Sequence, residues 1–226
     1  MNRYPHVVFK VGRRRVSNRE RERLKHKKSH LERMWERHGL GILKRIERAC
    51  GIRFPPRVCD EGIEIWLEKR RREDGEYVGE MDETEPCKLI LYLRRNETWK
   101  SAKAVIVHEL IHCLTWQVYY YDLRRREVTL FEDYFADELL TSLVEKVVLG
   151  RKLTRRQCDD ALDYAMSELK LRLGRGRRHR KIIDSLMGFM KGFQSRIRRK
   201  ETDVLRERRL LINELASPLP STLEDQ

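Results

Sequence analysis

The sequence contains no run of eighteen apolar residues, so nothing in it has the length and hydropathy of a membrane-spanning helix. Its opening, MNRYPHVVFKVGRRR, has no apolar core followed by a small-residue cleavage site, so no secretory leader is expected and a cytoplasmic location follows by default. Five cysteines, Cys50, Cys59, Cys87, Cys113 and Cys158, include no C-x-x-C pair, which argues against a disulfide framework and against a cysteine-built zinc site. Zinc-finger, KH and RRM signatures are missing, as is any internal repeat. Aromatics make up 8% of the chain and are not interleaved with its basic runs, which gives only weak support to single-strand recognition by base stacking.

What is abundant is charge. The 226 residues carry a formal net charge of +14, and 38% of them are charged. The excess is uneven. Residues 1–48 hold 16 Lys/Arg against 5 Asp/Glu, residues 49–150 hold 15 against 20, and residues 151–226 hold 19 against 11. An acidic middle is thus flanked by two basic segments. Runs such as RRRVSNRERERLKHKK and GRGRRHRK fit either a solvated helix face or a sequence-independent contact to the phosphates of nucleic acid.

Residues 17–50 place Leu24, Leu31, Trp35, Ile42, Leu43 and Ile46 at helical spacing, with Gly39 and Gly41 expected to divide the run into two helices. His26 and His30 lie four apart within it, among lysines and without a neighbouring acid, and read as exposed polar residues. CDEGIEIWLEK, residues 59–69, alternates apolar and polar as a half-buried strand does. KLILYLRR, residues 88–95, is a second strand, and the two are expected to form part of a small antiparallel sheet joined by a long polar connection. Asn96 and Thr98 are candidate caps for a helix over 99–117, a second apolar helix is expected over 128–149, and three more basic helices carry the chain to about Ala216.

The first apolar helix contains HELIH, residues 108–112. One helical turn separates His108 from His112, so both imidazoles project from one face and can ligate a single Zn²⁺. Glu109, one residue round, can reach a water on that ion as a general base without ligating it. Three polar side chains in so apolar a run need compensation for lost hydration, and a metal supplies it. The third ligand is expected on the next helix. Placing TLFEDYFADELLTSLVEKVV at 100° intervals puts Phe135, Ala136, Leu139, Leu140, Leu143 and Val147 on one broad face. Glu132 falls near its middle, Asp133 lies toward its edge, and Asp137 and Glu138 point elsewhere. Glu132 is therefore the expected ligand and Asp133 the second choice.

These motifs resemble those of the gluzincin metallopeptidases, the thermolysin-like clan and especially its minimal single-domain members. The family pattern is HExxH on one helix and a glutamate on the next, matched here by His108, His112 and Glu132 over about residues 60–149. Position 136 is Ala where the thermolysin pattern has an Asp, and positions 115 and 118 are Thr and Val where a metzincin has Gly and His. FADELL, residues 135–140, is similar to a segment of the zinc-ligand helix in HExxH repressor-cleaving regulators.

The resemblance implies an α+β zincin-like core with a small antiparallel or mixed sheet, and KLILYLRR as the edge strand that seats an extended protein or peptide substrate. It also implies a zinc endopeptidase mechanism with Glu109 as base and an oxyanion donor drawn from Tyr119, Tyr120, Tyr121, Tyr134 or His179. The expected organisation is a basic helical extension over 1–50, a catalytic core over 51–150, a basic helical region over 151–216 and a disordered tail over 217–226. The basic flanks make proteins bound to nucleic acid plausible substrates. A reading from another class is a nucleic-acid-binding or regulatory protein whose metal site is structural or inactive.

Overall fold

A computed structural model describes residues 3–12, 14–69, 79–81, 85, 87–94, 96–123, 130–151, 154–168 and 176–216. In chain order its elements are β1 (Val7–Val11), α1 (Asn18–Cys50), α2 (Pro56–Glu61), β2 (Ile63–Lys69), β3 (Gly79–Met81), β4 (Lys88–Leu93), α3 (Trp99–Leu123), α4 (Leu130–Val148), α5 (Arg155–Glu168), α6 (Arg177–Arg199) and α7 (Val204–Ala216). The chain divides into two compact units, one of Met1–Glu47 with Arg53–Gln117 and one of Arg48–Ile52 with Val118–Gln226. The tail 217–226 lies outside the described residues.

The first unit is built on a four-stranded mixed sheet in the order β1-β2-β4-β3. Strands β1, β2 and β4 run parallel, and only the short β3 is antiparallel to its neighbour. The antiparallel pairing expected of β2 and β4 is thus replaced by a parallel one. The polar connection between them contains β3, which turns the chain round so that β4 returns in the direction of β2. Because side chains alternate along a strand, register decides which residues share a face. Phe9, Ile65 and Leu89 align across the sheet, as do Val11, Leu67, Leu91 and Gly79. Phe9, Ile65, Leu67, Leu89 and Leu91 are almost fully buried.

The opposite face is polar and half exposed. There Lys10 pairs with Glu64, Trp66 Nε1 donates to Glu64 Oε2 at 2.9 Å, and the Lys10 ammonium stands 5.3 Å from the Trp66 ring centroid. The alternation in VVFKV and IEIWLEK is the sequence form of this two-sidedness.

Two expectations about the first fifty residues change. They begin with a strand, and helix α1 is continuous through Gly39 and Gly41. Gly39 does not interrupt the helix because it serves packing: a Cβ there would lie 2.5 Å from Trp35 Cε2, so the indole occupies the space a side chain would need. Trp35 in turn meets Phe9 edge to face, with centroids 6.3 Å apart. Glycine within a helix costs about 1 kcal/mol relative to alanine, which burial of an indole readily offsets. Ser17 caps α1 through its Oγ, which accepts from Glu20 N–H at 3.3 Å.

The second unit is helical. Helix α4 packs against α5 and α7, and α6 packs against the same two. Leu139, Leu143, Val144, Ala161, Ile182, Leu186, Phe193, Val204 and Leu211 form its interior. The end of α1 enters this unit, where Gly51 at φ +73° leaves room for the Thr202 carbonyl and Thr202 Oγ1 donates to the Arg48 carbonyl at 3.1 Å. An ion pair is buried between α6 and α7: the Arg196 guanidinium donates from two nitrogens to both oxygens of Glu207, at 2.6 and 2.5 Å, and Glu207 is fully enclosed. Removing one partner of such a pair leaves an uncompensated buried charge. Glu207→Ala is expected to lower stability by roughly 3–5 kcal/mol in urea unfolding, and the double change Arg196→Met with Glu207→Leu to cost much less.

Candidate metal centre

Helix α3 starts on a reciprocal cap. Thr98 Oγ1 accepts from the Ser101 N–H at 3.4 Å while Ser101 Oγ accepts from the Thr98 N–H at 3.1 Å, so two donors at the helix start find partners. Of the two expected caps, Thr98 performs the role. Beyond it the helix is buried almost all round: Ile106, Val107, His108, Glu109, Leu110, Ile111, Cys113, Leu114 and Thr115 are all enclosed. Thr115 satisfies its hydroxyl by donating to the Ile111 carbonyl at 2.9 Å.

Within this interior the i, i+4 spacing brings His108 Nε2 and His112 Nε2 to 3.1 Å, with the rings 68° apart. Two nitrogens bound to one zinc at about 2.0–2.1 Å with a tetrahedral angle stand about 3.3 Å apart. The pair therefore already has close to the separation that a shared ion requires. Among the described residues, the group of histidine, cysteine and carboxylate side chains able to hold a metal is His108, His112 and Glu138, one ligand atom of each lying within 4.8 Å of the others. Two imidazoles and a carboxylate suit zinc and leave a fourth tetrahedral position for water.

Glu138 stands six positions beyond the expected ligand, on the side of the helix that the wheel turns away from the apolar face. A helical wheel singles out an inward carboxylate only where the helix has one apolar face. In fact Ala136, Leu139, Leu140, Thr141, Ser142, Leu143, Val144, Lys146 and Val148 are all buried, so the helix has no single inward direction from which to choose a carboxylate. Glu132 and Asp133 lie on α4, but their side chains are outside those described. A signal for Glu138 does exist in the sequence: it is a carboxylate inside FADELL, the segment that resembles a zinc-ligand helix.

Among the expected oxyanion donors, the side chains of Tyr119, Tyr120, Tyr121 and Tyr134 are outside those described. His179 is buried and engaged with Asp159, Nε2 to Oδ1 at 2.6 Å. His26 and His30 are exposed on α1 as expected.

The sheet contributes through β3. Gly79 lies opposite Leu91, in the row that faces inward, and a Cβ at position 79 would stand 2.4 Å from Val105 Cγ1 and 2.9 Å from Glu109 Oε1. The missing side chain is the room in which the Glu109 carboxylate sits. Strand β3 is anchored from the other face, where Tyr92 Oη donates to Glu80 Oε1 at 2.7 Å and Arg14 donates to Tyr92 Oη at 3.1 Å. Strand β4 is therefore interior, and the edge beside the HELIH helix is β3.

Directly after His112, the buried Cys113 shares a hydrogen bond with Cys87, at the start of β4. That bond, together with burial, pushes the Cys113 thiol well up, and it holds Cys87 below the ordinary thiol range although burial acts in the opposite direction there. Compared with protein-family models, curated proteins and solved structures, the chain finds no match.

Two outcomes follow from this geometry. Gly79→Ala should overpack the contact and cost roughly 1–3 kcal/mol in denaturant unfolding, with part recovered when Val105→Ala is added. The thiolate is the form that alkylates, so the lowered Cys87 should react with iodoacetamide at lower pH than free cysteine does. Cys113 should stay unmodified until the chain unfolds. Peptide mass mapping across pH reads both.

Proposed function

We propose that the chain is a zinc-dependent metallopeptidase of gluzincin type, an endopeptidase acting on protein or peptide substrates. The observation that carries the reading is the convergence of His108 Nε2 and His112 Nε2 at 3.1 Å, grouped with Glu138, on an interior helix that also buries Glu109. In this reading His108, His112 and Glu138 hold the zinc. A zinc held there would supply Lewis-acid chemistry, making a water more acidic and a peptide carbonyl more electrophilic.

The remaining work falls to the chain. Glu109 accepts the proton of the attacking water and returns it to the leaving amine, and its burial beside Val105 and Gly79 confines the carboxylate to one place. An extended peptide finds its seat along β3, whose outer edge has no strand partner among the described residues. Main-chain hydrogen bonds to such an edge hold a substrate in register without regard to its sequence. The order β1-β2-β4-β3 puts that edge on the side of the sheet where Glu109 lies.

Metal analysis of purified, untagged protein tests the reading. Wild type should carry about one zinc per chain, and His112→Ala and Glu138→Ala much less. Glu109→Gln should keep its zinc and fold while peptide hydrolysis falls roughly 10²–10⁴-fold. Zinc lost from Glu132→Ala but kept in Glu138→Ala would assign the third ligand to Glu132 instead. A wild type that holds no zinc after reconstitution would overturn the enzyme, and undiminished function in Glu109→Gln would support the binding or regulatory protein.

A further inference from the structure

Helix α6 spreads its two kinds of residue on opposite sides. Ile182, Ile183, Leu186, Phe189, Met190, Phe193 and Ile197 are buried, while Arg177, Arg180, Lys181, Lys191, Arg198 and Arg199 are exposed. At 100° per residue these six cations fall within an arc of about 100°, and at 1.5 Å per residue they extend along about 33 Å. The only acid in the same arc is Asp184, which Arg155 of α5 already pairs at 2.6 Å. Arg199 meets Glu201 at 3.2 Å, with both side chains more than half exposed. The other five have no carboxylate partner among the described residues. Gly188 and Ser195 lie in the same arc, and nothing stands within 4 Å of the Cβ position at Gly188, so a large partner can approach the helix closely there.

From this stripe we infer that the solvent face of α6 binds the phosphate backbone of duplex nucleic acid without reading its sequence. The composition of the face separates this partner from others. An amphipathic helix that enters a membrane surface needs apolar residues beside its cations, and the only exposed large apolar residue among those described is Leu40, on α1. An acidic protein partner would want a buried aromatic or aliphatic anchor at the centre of the contact, and this face has none. Single strands are held by stacking on aromatic rings, which the stripe also lacks. What remains is a line of cations about as long as one turn of a duplex, about 34 Å. Such a line suits regularly spaced phosphates, whose bound counterions it would release. The inference stands apart from the peptidase reading, since none of these residues belongs to the metal centre.

Fluorescence anisotropy of the full chain with two labelled 25-base-pair DNA duplexes of unrelated sequence tests it. The two should bind alike, and log K should fall with log salt at a slope of about −5, or about a thousandfold between 50 and 200 mM, for about six phosphates neutralised. Removing three exposed cations as Arg180→Gln, Lys191→Gln and Arg198→Gln should flatten the slope to about −3. Because all three are exposed, the urea midpoint should not move, which separates lost contact from lost fold. Glu109→Gln should bind as wild type does. Unchanged affinity and slope in the triple variant would overturn the inference, as would binding to phosphatidylserine vesicles without binding to duplex.

Discussion

The cost of taking ionisable groups out of water governs this molecule. His108 and Glu109 are each only 6% exposed, on a helix whose neighbouring positions are almost all apolar and enclosed. A carboxylate placed there without compensation would cost several kcal/mol, and a cation close by is the most direct remedy. The surrounding structure follows from that requirement. An interior helix needs its first backbone donors satisfied, which Thr98 and Ser101 do for one another. It needs a sheet that packs on it yet spares room for a carboxylate, which the row Val11, Leu67, Leu91 and Gly79 provides by ending in a residue without a side chain.

The sheet departs from the usual habit of parallel strands, which are mostly covered on both faces. Here three parallel strands keep one face polar, and the contacts of Lys10, Glu64 and Trp66 make that tolerable. Each of these side chains lays a hydrocarbon or aromatic body on the sheet and turns a polar group to solvent. A face of this kind explains why β2 reads as an alternating strand although its neighbours on both sides are parallel.

Much of the site was legible because its signal is local. H-E-x-x-H states a spacing, and a helix converts that spacing into a shared face with no help from the rest of the chain. The two longer strands were visible for the same reason. What escaped depended on distant residues. Strand β1 is five residues long amid basic sequence, and only β2, far along the chain, makes it a strand. Gly39 reads as a helix breaker until Trp35 is seen lying over it. The direction of β4 relative to β2 depends on the short β3 between them. Glu138 lies off the single apolar face that a helical wheel assumes, whereas α4 is enclosed on nearly all of its described circumference.

The pairing of Val7 with Ile63 joins residues 56 positions apart. During synthesis at roughly 5–20 residues per second, β1 therefore waits several seconds before the strand that will cover it has been made. A short apolar strand left open for that long is an invitation to join another chain. VVFKV answers with a lysine near its end, where a second copy laid alongside would bring like charges together. The residue that later pairs with Glu64 is thus also a guard during the vulnerable interval, and the sheet's polar face bears on how safely the chain is made as well as on how it sits in water.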